Sequence, residues 1–73
     1  MTMHAFLEAA AKGGQWDKGD TDFHAFLPLY FEAKDAGLIV GTEYRSQEHG
    51  GNEVLSFSVD RLTDAGEVAL AKR

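Results

Sequence analysis

Apolar residues recur at helical spacing in two segments of the first half of the chain. In the first segment they run from Met3 to Ala10 at intervals of three and four residues, which places them on one helix face. In the second segment the same spacing runs from Phe23 to Ala33. The pattern therefore predicts two helices. Gly37 follows the second segment and predicts its end, because glycine readily adopts the left-handed conformation after a last helical turn.

Two local features interrupt this helical pattern. Residues 15–22 are mostly polar and predict a connection, with Trp16 folding back over the core. Pro28 lies inside the second apolar stripe, where a proline removes a backbone hydrogen bond and costs about 3 kcal/mol. A break near Leu27 would avoid this cost by placing Pro28 in the first turn of a new helix. We therefore expect one kinked helix or two short ones.

After the second helix the periodicity changes to that of strands. Residues 38–45 begin with an apolar run, and Leu55, Phe57 and Val59 then alternate with polar residues. Residues 46–52, between these two segments, are polar and contain two adjacent glycines. The sequence therefore predicts a β-hairpin whose apolar side covers the core and whose tip is polar.

The end of the chain predicts one more short helix. Thr63 can cap a helix that carries Ala65, Val68 and Ala69. The expected order is N-terminal helices, a two-stranded hairpin and a short C-terminal helix. At this length we expect a single α+β domain spanning residues 1–73.

The residues around the hairpin resemble those of winged-helix domains. The matching positions are Gly37, Leu38 and Ile39 at the first wing strand, and Leu62, Thr63, Gly66 and Leu70 after the second. The resemblance covers about residues 23–71. It is to repressors of the MarR and PadR type and to small winged-helix proteins of phages and mobile elements. It implies a winged-helix-like fold and DNA binding through the helix before Gly37, with the hairpin as a wing that contacts the DNA backbone.

Charge and composition oppose several functions. Twelve acidic and seven basic residues give a net charge of −5, which repels phosphate backbones unless the cations cluster on one face. The chain has no cysteine, so it has no disulfide and no thiolate metal site. Its apolar runs are much shorter than the ~20 residues that span a bilayer, and its start lacks the pattern of a signal peptide. We therefore expect a cytoplasmic protein without membrane contact.

The sequence offers little for catalysis. His4, His24 and His49 are far apart and lack the spacing of metal ligands. Residues 50–53 are rich in glycine, but no helix follows them to bind a phosphate, so a hairpin turn explains them better. We expect no enzyme activity, no cofactor and no metal site.

Two surfaces are candidates for partner binding. The residues on the second helix are His24, Leu29, Phe31, Glu32 and Asp35. The residues at the hairpin tip are Arg45, Gln47, Glu48, His49 and Asn52. Exposed apolar groups rimmed by charge are typical of interaction surfaces. Negative surface charge favours a basic protein partner.

Two functions follow as hypotheses. The first is a non-catalytic protein-binding module, such as a phage or mobile-element accessory protein or an acidic inhibitor that modulates a host protein. The alternative is a small winged-helix DNA-binding transcriptional regulator. Base recognition favours Arg, Lys, Asn, Gln or Ser on the exposed helix face, whereas this helix offers His24, Glu32 and Asp35 there. A homodimer could gather cations on one side and improve nucleic-acid binding, and the sequence leaves this option open.

Overall fold

The computed structural model describes residues 2–47 and 53–72, which form helices on one face of an antiparallel sheet. In chain order the elements are α1 (Met3–Ala11), β1 (Gly14–Asp17), α2 (Phe23–Asp35), β2 (Ile39–Arg45), β3 (Val54–Leu62) and α3 (Asp64–Ala71). The fold is therefore α+β, with three helices and three strands in the part of the chain described.

Three helix ends have defined caps, and two of them, at Thr63 and Gly37, were predicted from the sequence. The side chain of Thr2 accepts a hydrogen bond from the backbone N–H of Ala5 at 3.1 Å and caps α1. Thr63 caps α3 in the same way, through the N–H of Gly66 at 3.1 Å. Gly37 follows α2 with a φ of +74°, the left-handed conformation expected of a glycine after a helix.

α2 runs without a break from Phe23 to Asp35 and includes Pro28. Of the two predicted alternatives, one helix or two short ones, the structure has the single helix. A proline at this position leaves the carbonyl of His24 without its helical donor. Both His24 and Pro28 are exposed, and water can therefore hydrogen-bond this carbonyl. Exposure reduces the cost that the sequence pattern alone assigns to a proline inside a helix.

The sheet has the strand order β1-β3-β2, and both pairings are antiparallel. The predicted hairpin corresponds to the pairing of β2 with β3. However, the sheet is not the two-stranded wing that was expected, because β1 pairs along the other edge of β3. The segment predicted as a polar connection, residues 15–22, thus begins in a strand. This strand has only four residues and one large apolar side chain, too short a pattern for periodicity to reveal.

Two irregularities in the pairing of β2 with β3 change which side chains face the core. The register shifts between Val40 and Gly41, and again between Tyr44 and Arg45, where Leu55 has no partner on β2. As a result Val54 is buried and Leu55 is only half-buried. The expected burial of alternate residues holds at Phe57 and Val59 but fails at Leu55.

One core lies between the helices and the inner face of the sheet. Its buried members are Phe6, Leu7, Ala10, Phe23, Phe26, Tyr30, Ala33, Ile39, Val54, Phe57, Val59 and Leu62. The half-buried Trp16 covers one side of this core, as predicted. Its ring stacks on Phe57 with centroids 5.3 Å apart and meets Phe26 edge-on at 5.6 Å. Trp16 therefore fixes β1 to the core.

α3 approaches the start of β2 so closely that only glycine fits at position 66. A Cβ atom at Gly66 would lie 1.9 Å from the carbonyl oxygen of Leu38. The same carbonyl accepts a hydrogen bond from the N–H of Thr63 at 3.0 Å. The Thr63 hydroxyl donates to the carbonyl of Gly37 at 2.6 Å. These contacts fix the position of α3 beside the start of β2.

Candidate functional site

The side chains predicted for partner binding on α2 do not form one apolar surface. His24, Glu32 and Asp35 are exposed, whereas Leu29 and Phe31 are half-buried. Residues two positions apart on a helix point about 200° apart, so Leu29 and Phe31 lie on opposite borders of the exposed strip. The strip itself is polar and carries two carboxylates.

The two predicted surfaces meet at one contact. The guanidinium of Arg45 lies 5.6 Å from the centroid of the Phe31 ring, a cation–π geometry. The structure thus joins one residue of the α2 prediction to one residue of the hairpin prediction. Gln47 is exposed, and the remaining hairpin residues of the prediction (Glu48, His49 and Asn52) lie outside the described residues.

A hydrogen-bonded network links α2 to β2. The buried phenol of Tyr30 donates to Oε2 of Glu43 at 2.8 Å, and Nζ of Lys34 lies 3.2 and 3.0 Å from the two oxygens of the same carboxylate. Burial, followed by the bond to Glu43, raises the pKa of Tyr30 well above its ordinary value. Burial alone would raise the pKa of Glu43, but the hydrogen bonds from Tyr30 and Lys34 outweigh it and hold this pKa below its ordinary value.

This network also uses one of the few cations of the chain. Lys34 forms an ion pair with Glu43, and Lys18 forms another with Glu53. Both lysines are therefore engaged within the fold, and their charge is largely cancelled for any approaching partner.

The structure reveals a groove that the sequence analysis did not predict. It lies between the end of α1, the end of β3 and α3, and has a volume of about 570 Å³. Leu62, Leu70, Ala11 and Ala71 provide its aliphatic lining. We call this cavity the α1–α3 groove.

The rim of the α1–α3 groove is mainly acidic. Asp60, Asp64 and Glu67 line it together with one cation, Arg61, and all four residues are exposed. Within the described residues no lysine or arginine forms an ion pair with these carboxylates. The sequence holds these residues close together, but their shared rim depends on how α3 packs against β3.

His4 lies between helices rather than on a free surface. Its Nε2 is 3.0 Å from the carbonyl oxygen of Leu70 near the end of α3, and its Nδ1 is 3.2 Å from Oε1 of Glu8. His4 thus connects α1 to α3 and contributes to the position of the groove wall.

In residues 2–47 and 53–72, no group of three or more His, Asp or Glu side chains is placed to hold a metal ion. In the same part of the chain, no helix combines the length and apolar character needed to cross a bilayer. What the geometry offers is an aliphatic groove with carboxylates around it and an acidic strip on α2.

Comparisons of the chain with protein-family models, with curated proteins and with solved structures found no match.

Proposed function

We propose that this chain is a non-catalytic module that binds a basic protein. The placement of its charges is the observation that supports this function. Five exposed carboxylates lie on two surfaces, the α2 strip and the rim of the α1–α3 groove, and no ion pair engages them within the described residues (Glu32, Asp35, Asp60, Asp64 and Glu67).

Uncompensated negative charge of this kind accelerates the capture of a positively charged partner and rejects negatively charged ones. A phage or mobile-element accessory protein that modulates a host protein is consistent with this behaviour. So is an acidic inhibitor that occupies the nucleic-acid site of its target. In both cases the module acts by occupying a surface, and no bond is made or broken.

A winged-helix DNA-binding regulator is the second candidate, because the fold is compatible with it. An α+β fold with a three-stranded antiparallel sheet is compatible with a winged-helix-like protein. Helix-turn-helix readers place a recognition helix directly after another helix and a short turn. Here β1 and a turn precede α2, and the exposed strip of α2 carries Glu32 and Asp35.

In the described part of the chain, four cations are not engaged in an ion pair with an acidic side chain, and they belong to different elements. They are Lys12 after α1, Arg45 at the end of β2, Arg61 on β3 and Lys72 after α3. Counterion release from a duplex requires several cations along one surface. We therefore favour protein binding over DNA binding.

Affinity capture from a host-type lysate, with and without nuclease, tests the proposal. The matched variant converts the five exposed carboxylates to their amides, which retains side-chain size and removes charge. We expect a basic protein to be retained by the wild type after nuclease treatment and lost with the variant. Loss of every captured species on nuclease treatment would contradict the proposal.

Fluorescence anisotropy with a labelled random-sequence DNA duplex tests the alternative. The measurement is made at about 50 and about 200 mM salt, where a protein that contacts many phosphates loses affinity steeply. We expect no binding at either concentration. Tight binding with a steep salt dependence would support the DNA-binding regulator.

A further inference from the structure

We infer that the α1–α3 groove is the docking site for the basic partner, and that it takes an arginine or lysine flanked by an aliphatic side chain. This inference rests on the proposed function and adds to it the location of the contact and the chemistry of the recognised segment.

The size and lining of the groove fit this occupant. A volume of about 570 Å³ lies within the range of cavities that bind small ligands, and it accommodates one or two side chains. Leu62 forms a buried part of the lining, and Leu70 is half-buried. An aliphatic side chain or the methylene stem of a lysine or arginine would cover these groups and remove them from water.

The charge of the rim selects a cation. Asp60, Asp64 and Glu67 line the groove with Arg61 as the one cation among the lining residues, so the lining is net negative. Nη1 of Arg61 lies 3.4 Å from the carbonyl oxygen of Leu62, which directs this guanidinium along its own strand. A partner's arginine can therefore approach the carboxylates and form charge-assisted hydrogen bonds with them.

Val68 extends the aliphatic surface beyond the groove. Val68 is 54% exposed, the second-largest exposure among the large hydrophobic residues in the described part of the chain. Val68 follows Asp64 by four residues and precedes Ala71 by three, so the three side chains are neighbours on α3. An aliphatic residue next to the partner's cation would contact Val68.

α3 presents this surface in a fixed position. Gly66 packs directly against the carbonyl of Leu38, and the side chain of Thr63 both caps α3 and bonds to Gly37. A groove wall that is held in place before binding loses little conformational freedom when the partner docks.

A second copy of the chain is a poorer occupant. The chain carries a net charge of −5, and a symmetric dimer through this groove would bring two acidic rims together. Nucleic acid is also a poorer occupant, because the same carboxylates repel phosphates. A basic protein segment is the occupant that matches both the lining and the rim.

The test is a titration of the ¹⁵N-labelled chain with a capped peptide in which arginine and leucine alternate, followed by NMR. One control peptide replaces each arginine with glutamate, and another replaces each leucine with serine. We expect chemical-shift changes at Asp64, Glu67, Val68 and Leu70 with the first peptide. We expect none with the glutamate peptide and weaker binding of the serine peptide.

Variants of the chain locate the site. Asp64→Asn combined with Glu67→Gln should weaken binding of the arginine–leucine peptide about fivefold or more, because two surface charge pairs are lost. Val68→Ser should weaken the same peptide while leaving the serine peptide unaffected, and it alters an exposed position that the fold does not need. The matched control, Glu32→Gln with Asp35→Asn on α2, should bind the peptide as the wild type does.

Several outcomes would overturn the inference. Shifts confined to α2, together with loss of binding in the α2 variant, would place the site on α2 while leaving the proposed function intact. Groove shifts that depend on protein concentration without peptide would identify a second copy as the occupant. Absence of binding by the arginine–leucine peptide would refute this docking site, and the capture experiment would still decide the proposed function.

Discussion

Replacing Gly66 with alanine should destabilise the fold even though alanine favours helices. In the native structure a Cβ atom at this position would lie 1.9 Å from the carbonyl oxygen of Leu38 and 2.9 Å from its carbonyl carbon. Ordinary van der Waals contact requires α3 and β2 to separate by about 1.5 Å. Both clashing atoms belong to the backbone, so no side-chain rotation can relieve the contact.

The size of the effect follows from opposing contributions. Overpacking of this kind costs about 1–3 kcal/mol, and displacement of the Leu38 carbonyl weakens its 3.0 Å hydrogen bond from Thr63, a loss of about 1 kcal/mol. The higher helix propensity of alanine offsets about 1 kcal/mol of this destabilisation. We expect a net decrease in unfolding free energy of about 1–3 kcal/mol, or a decrease in Tm of about 5–20 °C.

Urea denaturation measures this change, since the single tryptophan of the chain lies against the core and reports unfolding by fluorescence. Gly19→Ala is the matched control, because a Cβ atom at Gly19 meets no atom within 4 Å. The control should leave stability unchanged or raise it slightly. If Gly66→Ala is as stable as the wild type, α3 does not pack against the Leu38 carbonyl as described.

Three further predictions concern the sheet. Glu43→Gln should lower the unfolding free energy by about 1–2 kcal/mol at pH 7, because the hydrogen bonds that Tyr30 and Lys34 make to a charged carboxylate are weakened. Since the folded pKa of Glu43 lies below its unfolded value, this stabilisation is present above the unfolded pKa and is lost as pH falls through the folded pKa. Urea titrations at pH 7 and in acid should therefore show that the stability difference between the wild type and Glu43→Gln disappears in acid. A difference that stays constant with pH would refute the role of the network. Gly41→Ala should cost about 1–3 kcal/mol in urea denaturation, because its Cβ would lie 2.4 Å from a carbonyl oxygen of β3, and unchanged stability would contradict the described register. Trp16→Ala should cost about 2–4 kcal/mol, measured by circular dichroism, and a loss below 1 kcal/mol would show that β1 is not held by its ring.

Sequence patterns predicted the elements with strong periodicity and missed the element without it. The stripes of α1 and α2 contain enough apolar residues to specify a buried face, and Thr63 and Gly37 mark helix ends through local chemistry. β1 is different, because a four-residue edge strand is defined by its pairing with β3, about 40 residues away in sequence. Its one local signal was Trp16, which was expected to cover the core.

The candidate site was harder to predict, for a geometric reason. Exposure on α2 follows from helical spacing, and His24, Glu32 and Asp35 were placed correctly on the surface. To predict the α1–α3 groove, the distance between α3 and β3 must be known. The relevant signal was Gly66, since a glycine inside a short helix indicates close approach of another backbone.

The last strand in sequence, β3, occupies the centre of the sheet. β1 and β2 both pair with β3 in the described structure. Neither edge strand can therefore pair before residues 54–62 have left the ribosome. The pairing of β1 with β3 joins distant parts of the sequence, and such non-local contacts slow folding. In a nascent chain that ends before residue 54, the tryptophan and the phenylalanines already synthesised therefore lack the sheet that covers them. A chaperone bound at this stage would protect these exposed apolar side chains from aggregation.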